Sequence, residues 1–240
     1  MKKIEMAVCC GLLAVFTGLC VYANRRSEAI MTKAELAMKS EKPALVIDAG
    51  HGGADGGCVS VNGAVEKDIN LNILKDLRDT MTLMGYDVTC TRETDTSIHD
   101  RGVEGLKNQK LSDMKNRLEI FSKYKDAVAV SIHQNQFTDP KYSGAQMFYS
   151  KDNAGGEALA KIMQTQFKSL LQPENERVAK AVGDELYLLD NTENPSIMIE
   201  CGFLSNPEEA AKLKQETYRR QMAFALMSGI NDYCIDSERI

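Results

Sequence analysis

Two histidines and two glutamates in this chain stand where their side chains can do chemistry together. His51 lies in the turn Gly50-His51-Gly52-Gly53, which closes the apolar run Ala44 to Ala49. Glu66 opens the amphipathic segment that follows. His133 ends another apolar run, Ala127 to Ile132, and Glu200 sits inside Ile197-Met198-Ile199-Glu200-Cys201. Two imidazoles and one carboxylate are a standard catalytic zinc set, leaving a position for water and a net positive charge on the metal. Such a centre brings the pKa of water to roughly 7 and polarises a carbonyl oxygen. Glu200 is then the group that takes the water's proton and passes it to a departing amine. Amine departure needs that proton, because an amide anion is a very poor leaving group. Each residue also has an ordinary reading. A histidine after a strand is more often a hydrogen-bonded loop residue, and Glu66 alone is an unremarkable first-turn helix acid. Glu200 is harder to dismiss, because a charge inside an apolar strand needs a partner or a metal.

The elements that must bring these four together follow from pattern. From Pro43 onward, short apolar runs alternate with amphipathic segments, the signature of an α/β domain. Strands are expected at Ala44 to Ala49, Asp87 to Thr91, Ala127 to Ile132, Gly144 to Tyr149, Leu186 to Leu189 and Ser196 to Cys201. A helix opens at Glu66, with Ile69, Ile73 and Leu77 four apart. A second puts Leu111, Met114, Leu118 and Phe121 on one face, and a third spans Ala154 to Leu171. The last begins cleanly, with Asn206 as cap, Pro207 in the first turn and Glu208 and Glu209 at the positive end of the dipole, and runs to about Ile230. In an open α/β sheet the carboxyl ends of parallel strands and the amino ends of the following helices share one edge, where ligands bind. If these strands run parallel, His51, Glu66, His133 and Glu200 meet on that edge.

Composition sets the frame. With 240 residues, 43% hydrophobic and 26% charged, the chain suits one globular domain with a substantial core. The net charge of −5 and pI near 5.4 give no basic face for nucleic acid. Of seven cysteines, Cys9, Cys10 and Cys20 lie in an apolar leader, and Cys58, Cys90, Cys201 and Cys234 are scattered. No C-x-x-C pair exists, which argues against a cysteine zinc knuckle. The four read as small buried hydrophobes, with one or two disulfides still open. Residues 1–26 read as a signal peptide or an uncleaved membrane anchor: Lys2 and Lys3 precede an apolar stretch from Met6 to Ala23, and Val21-Tyr22-Ala23 fits a loose cleavage site. The run is close to the ~20 residues that cross a bilayer. Residues 27–42 read as a tether, and residues 43–235 as the catalytic domain. Export to the cell envelope is the expectation, with membrane contact only through the N-terminal segment.

At this point the residues resemble a known family. Val46-Ile47-Asp48-Ala49-Gly50-His51-Gly52-Gly53, followed by Glu66-Lys67, is similar to the opening of the zinc-dependent N-acetylmuramoyl-L-alanine amidases. Thr91-Arg92 with Asp95, Ser131-Ile132-His133 with Asn135, and Ile199-Glu200-Cys201-Gly202-Phe203-Leu204-Ser205-Asn206 match in the same order. The resemblance implies one zinc ion on His51, Glu66 and His133, with Glu200 as catalytic acid/base. It implies a mixed, mostly parallel sheet with helices on both faces, and hydrolysis between N-acetylmuramic acid and the first L-alanine of the peptidoglycan stem. Gln109-Lys110 with Asp113 to Glu119, and Ser143-Gly144-Ala145-Gln146 with Phe148-Tyr149, resemble the spore-cortex branch, which trims stems so that muramic δ-lactam can form. Departures are Gln134 and Gln136 around Asn135, where smaller residues are usual, and Cys201 in place of a common glycine. The short interval between Tyr149 and Glu200 leaves little room for an inhibitory helix, so an open groove is expected.

Lesser roles complete the reading. Asn135 and Arg92 are candidates to contact substrate, although Arg92 and Arg117 also suit loop bracing. Asp48 is a candidate to orient an imidazole from behind. His99 reads as a solvated loop residue. The expected partners are peptidoglycan and, where one is required, an activator protein. The competing functions are a zinc peptidase cutting within the stem and a catalytically silent wall-binding protein. The second fits poorly with an acid retained in an apolar strand.

Overall fold

The first expected strand forms β1 (Leu45–Ala49), buried along its whole length. The computed structural model describes residues 15–26 and 42–237, in two units that divide between Glu41 and Lys42. In the first unit, residues 15–26 form an exposed helix, α1. The rest of the expected leader, residues 1–14, and the expected tether over 27–41 lie outside the described residues. Among the described residues no helix is long and apolar enough to cross a membrane.

The second unit continues with α2 (Glu66–Leu83), β2 (Val88–Cys90), α3 (Leu106–Phe121), β3 (Val128–Asn135), β4 (Gln146–Ser150) and α4 (Ala154–Leu170). Then come β5 (Lys180–Val182), α5 (Tyr187–Asp190), β6 (Ser196–Phe203), α6 (Pro207–Leu213) and α7 (Glu216–Ser237). One six-stranded sheet has the order β2-β1-β3-β6-β4-β5. β2, β1, β3 and β6 run parallel, β4 is antiparallel to β6, and β5 is parallel to β4. This is the expected mixed, mostly parallel sheet, and the strand ends bearing His133 and Glu200 do share an edge.

Side-chain alternation along each strand assigns the two faces. Leu45, Ile47, Val130, Ile132, Ile197 and Ile199 join α2, α4 and α7 in the main core. Ile69, Ile73 and Leu77 are buried there, as the helical period requires. Val46 and Ala129, on the other face, pack with Phe121 of α3 and Leu188 of α5. Asn206 caps α6 by accepting from the N–H groups of Glu208 and Glu209.

Departures from the sequence reading have local causes. Leu186 to Leu189 is a helical turn, not a strand, because the N–H groups of Leu189 and Asp190 both return to the carbonyl of Leu186. Four apolar residues cannot distinguish the two by period. The unrecognised β5 is three mostly exposed edge residues, too short for an alternation signal. The last helix divides at Gln215, where Arg219 takes up the free carbonyls of Leu213 and Lys214. In α3 the buried stripe is Asp113, Arg117 and Phe121. Leu111 lies about 160° round the helix from Asp113 and is exposed. Cys58, Cys90, Cys201 and Cys234 are free thiols, the last two buried.

Candidate active site

The sheet carries the site as a row. His133 on β3 pairs with Glu200 on β6, and Glu200 pairs with Gln146 on β4. Directly opposed residues present their side chains on the same face. Gly50, one residue beyond the β1–β3 pair Ala49 and Ile132, continues the row. It has no room for more than hydrogen: a Cβ there would lie 2.1 Å from Cε1 of His133.

His51 is placed by a turn of unusual backbone. Its φ is 65°, and Gly52 and Gly53 follow at 141° and 58°; a non-glycine residue holds the left-handed region only when its surroundings enforce it. Two buried arginines do so. Arg117 donates to the carbonyls of Ala49 and His51, both at 2.8 Å. Arg92 donates to the carbonyls of Ala49, Gly50, Thr94 and Lys67. Arg92 therefore braces the loop, with its guanidinium spent on four carbonyls, and the expectation that it contacts substrate is corrected. Asp48 is corrected too. Its carboxylate takes hydrogen bonds from Thr91, Arg117 and Ser131 and none from an imidazole. The residue behind His51 is Asp55, with Oδ2 2.9 Å from Nδ1 and Oδ1 paired to Lys110 at 2.7 Å.

Glu66, buried at the start of α2, faces both imidazoles. Its Oε1 lies 3.2 Å from Nε2 of His51 and 3.0 Å from Nδ1 of His133. One donor atom from each of the three residues falls within 4.8 Å of the others. The two separations from Glu66 are close to the ~3.3 Å edge of a tetrahedron with bonds of about 2.0 Å, and with two imidazoles and a carboxylate the donor set suits a zinc ion. Backbone N–H groups of Cys58 and Gln134 hold the two Glu66 oxygens at 2.9 and 3.0 Å, and Asn70, one turn along α2, reaches Oε1 at 3.4 Å. Burial pushes the Glu66 pKa up, but His133 and His51 outweigh it and hold the carboxyl well below the usual range. For His51, burial pulls the pKa down while Glu66 and then Asp55 raise it above its ordinary value. This is a pocket built around positive charge.

Glu200 differs from Glu66 in having nothing to bind. Its Oε2 is sealed from solvent without a hydrogen-bond partner among the described residues. Burial pushes its pKa up to about 7, with His133 pulling down and the Glu66 charge pushing up. A carboxyl poised there can both accept and return a proton near neutral pH. Beside the row a groove of about 270 Å³ runs toward α3 and α5, lined by His51, His133, His99, Met114, Leu188 and Met198. His99, its Nδ1 2.8 Å from the Ser97 hydroxyl, belongs to that wall and not to the donor cluster. Asn135 is half-buried where the β3–β6 register shifts, and its carbonyl accepts from Leu204.

Sequence reasoning missed Asp55 and Asn70, and it named Lys110 and Gln134 without the roles the structure gives them. Asn70 had a readable signal, four residues after Glu66 on the same helical face. Gln134 points to the other face of the sheet, where it donates to Asn70 at 3.1 Å; it is therefore a support for Glu66 rather than part of the groove floor.

Residues 45–232 match the family model described as N-acetylmuramoyl-L-alanine amidase. The chain is similar to the germination-specific N-acetylmuramoyl-L-alanine amidase of Bacillus subtilis (strain 168), 34% identical over 189 residues, covering 79% of this chain and 78% of that one. It is also similar to the N-acetylmuramoyl-L-alanine amidase AmiA of Escherichia coli (strain K12), 26% identical over 80% of this chain and 76% of that one. Among solved structures, the CwlD amidase of Clostridioides difficile, in complex with the GerS lipoprotein, superposes with a TM-score of 0.77 at 39% identity, over 80% of this chain and 98% of that one.

Proposed function

Because the chain belongs to the N-acetylmuramoyl-L-alanine amidase family, we propose that it removes stem peptides from peptidoglycan with one zinc ion held by His51, Glu66 and His133 and with Glu200 as proton carrier. The observation that carries this is the pairing of a three-donor cluster with a carboxylate one strand away whose Oε2 is buried without a hydrogen-bond partner among the described residues. Zinc in such a set supplies Lewis acidity, polarising the amide carbonyl and making water acidic enough to attack near neutrality. The protein's own groups do the rest. Glu66 keeps its charge between the imidazoles, and Asp55 fixes the His51 ring through Nδ1. Glu200 takes the proton from the attacking water and delivers it to the nitrogen of L-alanine as the C–N bond breaks. Asn135, half-buried two residues beyond His133, is the residue we assign to a hydrogen bond with substrate.

The finer role we propose is spore-cortex maturation, the stem removal that precedes muramic δ-lactam formation. Similarity to a germination-specific amidase supports it. A similar amidase solved in complex with a lipoprotein supports a protein partner for this chain as well. Peptidoglycan lies outside the cytoplasmic membrane, so residues 1–26 are read as a signal or anchor, 27–42 as a tether and 43–235 as the catalytic domain. The test is digestion of purified muropeptides by the full chain with and without zinc, beside Glu200→Ala. Zinc-dependent release of intact stems with new L-alanine amino ends is expected, falling by at least about 10²-fold in the variant while zinc binding persists. Cuts within the stem would make the protein a peptidase. Zinc binding without any cleavage, even with a partner lipoprotein added, would make it a wall-binding protein.

A further inference from the structure

We propose that Arg177 receives a carboxylate of the stem peptide and so determines which stems are accepted; this rests on the amidase reading above. The row that holds His133, Glu200 and Gln146 leads directly to it. Arg177 donates from Nη1 to Oε1 of Gln146 at 3.1 Å and from Nε to the carbonyl of Ser143 at 2.8 Å. Gln146 is the residue paired with Glu200, so the guanidinium stands one side chain beyond the catalytic carboxylate. It is also stacked: Cζ lies 4.5 Å from the ring centroid of Phe203 and 5.8 Å from that of Tyr142. Tyr142 is itself packed edge-on by Phe137, with centroids 4.9 Å apart. Two acceptors and two rings fix the plane of the cation.

A counter-ion is what this arrangement lacks. Arg117 has two carboxylate partners, whereas among the described residues Arg177 has no carboxylate within 4.0 Å. Glu209, on whose carboxyl the Arg177 charge acts, accepts at its two oxygens from the N–H groups of Gly144 and Phe203 at 3.0 and 2.8 Å. It anchors the platform from below. Nη2 of Arg177 makes no hydrogen bond among the described residues, so a fixed fork is left open for a bidentate acid. The substrate offers that acid on one side only. Once the lactyl carboxyl is tied up in the amide, the N-acetylated sugars are uncharged, and the free carboxylates belong to the stem.

Binding is read in the full chain carrying Glu200→Ala, so that the result does not depend on turnover and a failure of the amidase assignment shows separately in the digestion assay. The probes are muramoyl-peptides with free stem carboxylates and the same peptides amidated at one carboxylate at a time. One amidation is expected to weaken binding by at least about tenfold. Adding Arg177→Met, which keeps an apolar stem over Phe203, is expected to bring the free acid down to the level of that amide and leave the amide unchanged. Equal binding of all the probes, a preference that survives Arg177→Met, or equal weakening of every probe would each overturn the proposal.

Discussion

His133 lies so close to Gly50 that one methyl group would collide with its ring. Gly50→Ala must push the imidazole away from Glu66, and is expected to abolish stoichiometric zinc binding, checked by dialysis and metal analysis. Asp55→Asn is milder. It removes the charge behind Nδ1 of His51 and the partner of Lys110, and zinc affinity is expected to fall about 10- to 100-fold, read by competition with a chelating dye. The difference between these residues also shows what the sequence discloses. His51, Glu66, His133 and Glu200 were legible because strand ends and helix starts are readable from period and composition. Asp55 was not, because its reach to His51 depends on a left-handed residue at 51 and the reversal that pairs Gly52 with Asp55. Asp48 was assigned to an imidazole for want of the β1–β3 register, which sets it opposite Ser131 instead.

Between elements, a buried ion pair joins β1 to α3. Asp48 meets Arg117, and Arg117 meets Asp113 at 2.5 Å. Burial pushes the Asp48 pKa up, but Arg117, then His133 and the Ser131 and Thr91 hydroxyls, hold it below its ordinary 3.8. The folded-state pKa is the lower one, so its ionisation stabilises the fold above 3.8 and ceases to as pH falls through the depressed value. Asp48→Asn breaks a buried pair and is expected to cost about 3 kcal/mol at neutral pH. It should also flatten the loss of Tm in the acid range, followed by circular dichroism. The stripe behind this join was only half legible. Apolar spacing found Met114, Leu118 and Phe121, but a buried arginine and aspartate look like surface residues until their partner strand is known.

For the molecule as a whole, the proposed zinc would be a ligand of the folded state, because its donors meet only there. At about 100 times its Kd it adds about 2.7 kcal/mol, which for a domain of this size is a Tm shift of roughly 5–10 °C. Calorimetry before and after chelation should show that drop, and His133→Ala should show none. The sheet's mixed direction was legible from family likeness but not from pattern, since period alone does not reveal that β4 runs against β6. That reversal reaches beyond topology. The donor cluster belongs to the turn after β1, to α2 and to β3, and is clamped by Arg92 and Arg117. The β4 half, with Gln146 and Arg177, is tied through Glu209 to Gly144 before β4 and to Phe203 at the end of β6. On the proposed reading, substitutions between about residues 137 and 180 would change which stems are accepted while replacing none of His51, Glu66, His133 and Glu200.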